Sequence, residues 1–259
     1  GTLMRLTSPS TRIIGGRPDD RCKSDALFFT ENAKSSAISI LFPLIRGLSW
    51  HSTLVSITLL NNSTSDMLEI PQNYRNLNNA LLACAEHSGH AVQLLAVSKT
   101  QPIEAICVCH QLGQHAFGEN YVQEAVAKIQ ALSELDIEWH LIGPLQSNKC
   151  KIVAEHFDWV QTVDREKIVD SLSRYRPNGT LPLNVLIQVN VDDEASKSGC
   201  APNQVESLAE RIAAKPNLRL RGLMAIPDPA RSADGHAFAA MQSLFNALQK
   251  RFASVDTLS

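Results

Sequence analysis

What the chain lacks narrows its function first. Net charge is only −2 at neutral pH over 259 residues, so no excess of either sign draws it to nucleic acid or to an anionic membrane. The nearby basic residues Lys149 and Lys151 read as a solvated helix face. The cysteines (Cys22, Cys84, Cys107, Cys109, Cys150, Cys200) are scattered and have no zinc-type spacing. Cys107 and Cys109 would diverge around a helix, so no metal is expected there. Scattered thiols suit a reducing compartment and predict a cytoplasmic protein.

A membrane span needs ~20 predominantly apolar residues. The most apolar stretch, 37–60, is interrupted by Pro43, Arg46, Gly47 and His51, and no basic-then-apolar leader pattern is legible ahead of it. No membrane role is expected. No Gly-x-Gly-x-x-Gly follows the first strand of the alternating region, which argues against a dinucleotide fold. No Ser-His-Asp arrangement can be assembled, and a glycosidase would need two carboxylates where only Glu119 offers one.

Two regions remain. Residues 1–66 are rich in Ser and Thr, weakly periodic, and predicted to be a poorly structured extension. From Met67 the pattern changes, and 67–259 is predicted as one barrel domain. A helix is expected over Tyr74–His87, with Leu77, Leu81, Leu82 and Ala85 at helical spacing. Strand-like runs follow at Leu94–Val97, His115–Phe117, Trp139–Ile142, Trp159–Thr162, Val185–Val189 and Leu220–Met224, separated by helical stretches. The last helix, Ala237–Phe252, carries Phe238, Met241, Leu244, Phe245, Leu248 and Phe252 on one face. Such alternation predicts an α/β fold with a parallel sheet, a (β/α)8 TIM-type barrel. A further strand begins at Val255–Leu258 and the sequence ends at Ser259, so the barrel is expected to be truncated in its seventh unit, with open strand edges.

In such barrels the chemistry sits at the carboxyl ends of the strands. The first apolar run, Leu94-Leu95-Ala96-Val97, ends in Ser98-Lys99. A lysine there must reach solvent or occupy a pocket that uses its amine; a partly desolvated lysine becomes a nucleophile for aldehydes. Other rim candidates are Asn120, His140, Asn190 and Met224. Each has a plainer alternative: Asn120 could cap the next helix, His140 could be a hydrogen-bonded core histidine, and Met224 could be packing. Lys197 reads as a surface residue of a Ser/Gly loop. An amide- and lysine-rich rim suits an aldehyde cofactor.

Four segments carry a resemblance. Leu95–Thr100, Phe117–Glu124, Trp139–Lys149 and Leu220–Pro227 resemble the pyridoxal phosphate homeostasis protein family, and the likeness runs from about Met67 to Ser259. It implies a barrel similar to the amino-terminal domain of alanine racemase. It also implies pyridoxal 5'-phosphate held as a Schiff base on Lys99, with Asn120 near the cofactor ring. The family's phosphate-gripping loops follow the last strand, and of these only the stretch ending in Ser259 is present. Gln101 stands where many relatives are expected to have a second lysine. The resemblance further implies a role in vitamin B6 and amino-acid homeostasis without turnover, with amino acids or apo-enzymes as recipients of the cofactor. The alternative is a PLP-dependent amino-acid racemase, which needs an acid/base group on each face of the substrate Cα.

Overall fold

The computed structural model of the protein describes residues 52–58, 66–88, 91–191, 198–227 and 236–259. Apolar strands alternate with helices through most of this span. The strands are β1 (Ser52–Thr58), β2 (Ala91–Val97), β3 (Ala116–Glu119), β4 (Glu138–Leu141), β5 (Trp159–Val163), β6 (Leu183–Gln188), β7 (Leu218–Met224) and β8 (Thr257–Leu258). The helices are α1 (Asp66–Ser88), α2 (Ile103–Gln111), α3 (Val122–Ala131), α4 (Cys150–His156), α5 (Glu166–Tyr175), α6 (Val205–Ala213) and α7 (His236–Arg251). All eight strands pair in chain order and parallel, and the sheet closes on itself. Every strand expected from periodicity is present within a few residues of its expected bounds.

One feature differs from expectation. The seam expected between the first and last barrel strands is filled by β1, from a segment that periodicity leaves outside the barrel. Thr58 lies opposite Val97 of β2, and Ser52 opposite Thr257 of β8. The stretch Ser52-Thr53-Leu54-Val55-Ser56-Ile57-Thr58 is rich in β-branched residues, and two strand edges offer it backbone hydrogen bonds on both sides. Of residues 1–66, expected to be poorly structured, 1–51 and 59–65 lie outside the described residues.

The core lies mainly between sheet and helices. Leu94 of β2 packs against Tyr74, Leu77 and Leu81 of α1, while Leu82, expected on the same face, is exposed. One residue along a helix turns the side chain by about 100°, enough to carry Leu82 out of contact. From α7, Phe238, Met241, Phe245 and Leu248 are buried. Leu95, next to Leu94, points the opposite way, into the barrel: a Cβ built on Gly118 of β3 would meet Leu95 and Ile142 side chains at 3.4 and 3.1 Å. This alternation sorts the site residues below.

Candidate functional site

Alternation along β2 places Leu95 and Val97 on the barrel-facing side and Leu94 and Ala96 on the helix-facing side, where Ser98 follows them by bonding Glu119. Lys99 lies two residues past the last residue of β2 and is half-buried, at the carboxyl end where barrels hold their ligands. The register sets Val97 opposite Gly118, and Lys99 and Asn120 each follow two residues further on, past the carboxyl ends of neighbouring strands. Asn120 Oδ1 is buried and has no hydrogen-bond partner among the described residues. The helix-capping alternative for Asn120 is not what forms: α3 begins after Tyr121 and has no side-chain cap. The backbone here is tightly packed, since a Cβ on Gly143 would lie 2.1 Å from the Asn120 carbonyl oxygen.

Beneath the rim, a polar chain runs through the barrel interior. His140 is 1% exposed and stacks on Trp159, with ring centroids 5.0 Å apart and planes 11° from parallel. Its Nε2 lies 2.9 Å from Glu138 Oε1, and its Nδ1 is 3.0 Å from Gln161 Nε2. Because Gln161 Nε2 donates, Nδ1 accepts and the proton resides on Nε2, facing the carboxylate. Burial alone would raise the Glu138 carboxyl, but the hydrogen bond from His140, with the Arg221 guanidinium, holds it below its ordinary value. Arg221 sits 4.5 Å over the Trp159 ring and grips Asp256 through Nε and Nη2 at 2.8 and 2.7 Å. His140 is therefore a core residue with both nitrogens engaged, below the rim where it was expected.

The remaining candidates divide similarly. Met224 is 1% exposed and packs with Trp159 and Leu186 inside the barrel, as its packing alternative has it. Ser259 stays at the rim: its amide donates to Leu223 O and its carbonyl accepts from Ala225 N. Its hydroxyl donates to Gln161 Oε1 at 2.8 Å. The Asn190 amide donates to Cys200 O at the end of β6. A cavity of about 180 Å³, lined by Ile142, Pro144, Thr162, Gln188, Ser198 and Ile226, opens where β4 to β7 end. Lys99 is not among its lining residues. Lys197 lies outside the described residues.

Periodicity missed Lys128 and Gln161. Both are polar and buried, and both sit in apolar surroundings where a hydrophobic pattern shows only an interruption. Glu124 and Lys128, four apart on α3, were the legible signal of an ion pair. Glu119, weighed above as a lone rim carboxylate, instead faces out under α3 and bonds Lys128 Nζ at 2.7 Å. Burial pushes its carboxyl above the ordinary value, against the pull of Lys128 and Ser98. No helix among the described residues is long and apolar enough to cross a membrane.

Residues 72–258 match the family model described as alanine racemase, N-terminal domain. A protein of Pasteurella multocida called pyridoxal phosphate homeostasis protein is 56% identical over 181 residues, covering 68% of this chain and 78% of that relative. A Vibrio cholerae protein of the same name is 52% identical over 202 residues, covering 74% and 86%. Among solved structures, PipY of Synechococcus elongatus with PLP bound is 32% identical, covers 64% of this chain and 80% of its own, and superposes with a TM-score of 0.56. The chain belongs to the pyridoxal phosphate homeostasis protein family, built on the barrel of the alanine racemase N-terminal domain.

Proposed function

We propose that this protein binds pyridoxal 5'-phosphate through a Schiff base on Lys99 and serves vitamin B6 and amino-acid homeostasis as a carrier, without turnover of its own. The observation that carries the reading is the pair at the ends of β2 and β3. Lys99 supplies an amine just past the end of β2, and Asn120, just past the end of the neighbouring β3, supplies a buried acceptor, Oδ1, with no partner among the described residues. That set fits an aldehyde-bearing ring with a polar edge. The relatives' name and the PLP-bound PipY point to the same ligand.

Bound pyridoxal phosphate supplies an aldehyde that a neutral primary amine can capture. The chain's own residues do the rest. Lys99 presents the amine, Asn120 orients the ring edge, and the apolar run below Lys99 keeps water from the strand side. Ser259 and Asn190, at the ends of β8 and β6, would add polar groups to the rim of the site. Release to amino acids or to an apo-enzyme then requires an incoming amine to compete for the same aldehyde.

The experiment is absorbance spectroscopy of the protein with PLP, followed by borohydride reduction and peptide mapping, on the wild type and Lys99→Ala. Reduction should attach the cofactor at Lys99 in the wild type and abolish it in the variant. Equal covalent labelling of the variant would falsify the assignment. Incorporation of solvent deuterium at Cα of any amino acid in a panel would replace the carrier by a racemase-like enzyme.

A further inference from the structure

We propose that Glu124 and Lys128 of α3 form a positioning clamp for Lys99, holding the backbone on both sides of it. The proposal rests on Lys99 being the cofactor lysine and goes one step deeper into the same site. Lys128 Nζ, with only 7% of its side chain exposed, reaches Ser98 O at 2.6 Å, Glu119 Oε1 at 2.7 Å and Glu124 Oε1 at 2.6 Å. An ammonium has three protons to donate, so its capacity is filled. Glu119 Oε1 also accepts the Ser98 hydroxyl at 2.7 Å. On the other side of Lys99, Glu124 Oε1 accepts the Thr100 amide at 2.6 Å.

The conformation being held is a costly one. Thr100 has φ of +61°, and among the described residues no other non-glycine residue has a positive φ. A β-branched residue in the left-handed region is strained and persists only where its surroundings impose it. Here two contacts impose it: the Gln101 amide closes a turn on Ser98 O at 3.0 Å, with Thr100 as its third residue, and the Glu124 carboxylate accepts the Thr100 amide. Together with the Ser98 contacts, they set the direction in which the chain leaves β2, and hence where the Lys99 amine points.

A buried ion pair is by itself weak evidence of stabilisation, whereas a satisfied polar network specifies one geometry. In this network the groups held outside the charged trio are Ser98 O, Ser98 Oγ and the Thr100 amide, the immediate neighbours of Lys99. That choice of targets separates a clamp on Lys99 from a generic brace between sheet and helix.

The test uses the full chain with Glu124→Ala, Glu124→Gln and Thr100→Gly. PLP affinity is read by absorbance titration. The intrinsic reactivity of Lys99 is read separately, as the rate of trinitrobenzenesulfonate labelling at that residue across pH, by peptide mapping without cofactor. Because 31% of the Glu124 side chain is exposed, Glu124→Ala should melt close to the wild type. PLP affinity should nevertheless fall about tenfold or more, the equivalent of one hydrogen-bonded contact to a charged group, and the pH profile of Lys99 labelling should change. Thr100→Gly, freed of the strain, should lose affinity in the same direction. Glu124→Gln keeps an oxygen for the Thr100 amide and should recover most of the affinity. Wild-type affinity and an unchanged labelling profile in Glu124→Ala would overturn the clamp; if that variant does not fold, the same result in Thr100→Gly does so. Cofactor trapping that persists in Lys99→Ala would instead remove the Lys99 reading on which the clamp rests.

Discussion

The Ser259 hydroxyl donates to Gln161 Oε1 at 2.8 Å, joining two residues 98 positions apart across the barrel. Through the other end of the same carboxamide, Ser259 at the rim is connected to His140 in the interior and from there to Glu138. A single amide thus fixes the orientation of a hydroxyl at the mouth and the tautomer of an imidazole beneath it.

Gln161→Leu keeps the volume of this side chain and removes both bonds. Gln161 is fully buried, so His140 Nδ1 loses its partner in a place with little access to water, and the Ser259 hydroxyl at the rim loses its own. Leaving such groups unsatisfied costs about 1–3 kcal/mol. Urea denaturation should show a loss of that size.

Lys128→Met leaves Glu119 and Glu124 without their shared cation. Breaking a buried ion pair from one side costs about 3–5 kcal/mol, again measurable by urea denaturation. The loss should depend on pH. The Glu119 carboxyl is already raised by burial, so its contribution to stability is fully present below its ordinary value of 4.5 and is lost as pH rises through the raised value. Lys128 is one of the groups pulling that value down. Without it the window extends to higher pH, and the variant should lose more stability at neutral than at mildly acidic pH.

Asp170 titrates in the opposite sense. Arg211 and Lys215 hold its carboxyl down to about 2, from an ordinary 3.8. Its stabilisation is therefore fully present above 3.8 and fades as pH falls toward about 2. The pair sits on the surface, with 35% of the Asp170 side chain exposed. Screening limits Asp170→Asn to less than about 1 kcal/mol at neutral pH. Melting temperatures across an acid series should converge with those of the wild type at the lowest pH, and salt should shrink the difference.

Gly143→Ala introduces a Cβ 2.1 Å from the Asn120 carbonyl oxygen, a backbone atom that cannot swing aside. Overpacking of this kind costs about 1–3 kcal/mol. The strain falls on Asn120, so borohydride trapping of PLP should weaken as well. Gly113→Ala meets no atom within 4 Å, although φ there is +96°, so it controls for backbone strain without the clash.

Much of the barrel was legible because its signals are local. Leu94–Val97 and Trp159–Thr162 are short apolar runs between turn residues, and α7 repeats its apolar residues at helical spacing. Lys99 stood out for the same reason, as a charge at the end of an apolar run. His140 was harder: its alternation with Trp139 and Leu141 says which side it faces but not how deep along the barrel it lies. That depth decides between rim and core, and the Glu138 and Gln161 contacts place it in the core. The pairing of Glu124 with Lys128 was available from their spacing, but nothing local shows that the Thr100 amide, 24 residues from Glu124, completes it.

The sequence by itself determined the alternation of strands and helices, the parallel barrel this implies, the position of Lys99 at a strand end and, through long matching segments, the family. Each of these depends on residues close together in the chain or on an ordered series of motifs. Only the tertiary structure decided that β1 fills the seam between β8 and β2, that Gln161 links His140 to Ser259, and that a charged trio braces the backbone around Lys99. Those contacts join residues far apart in sequence, and their energies arise from burial and from strand edges that exist only once the barrel has formed.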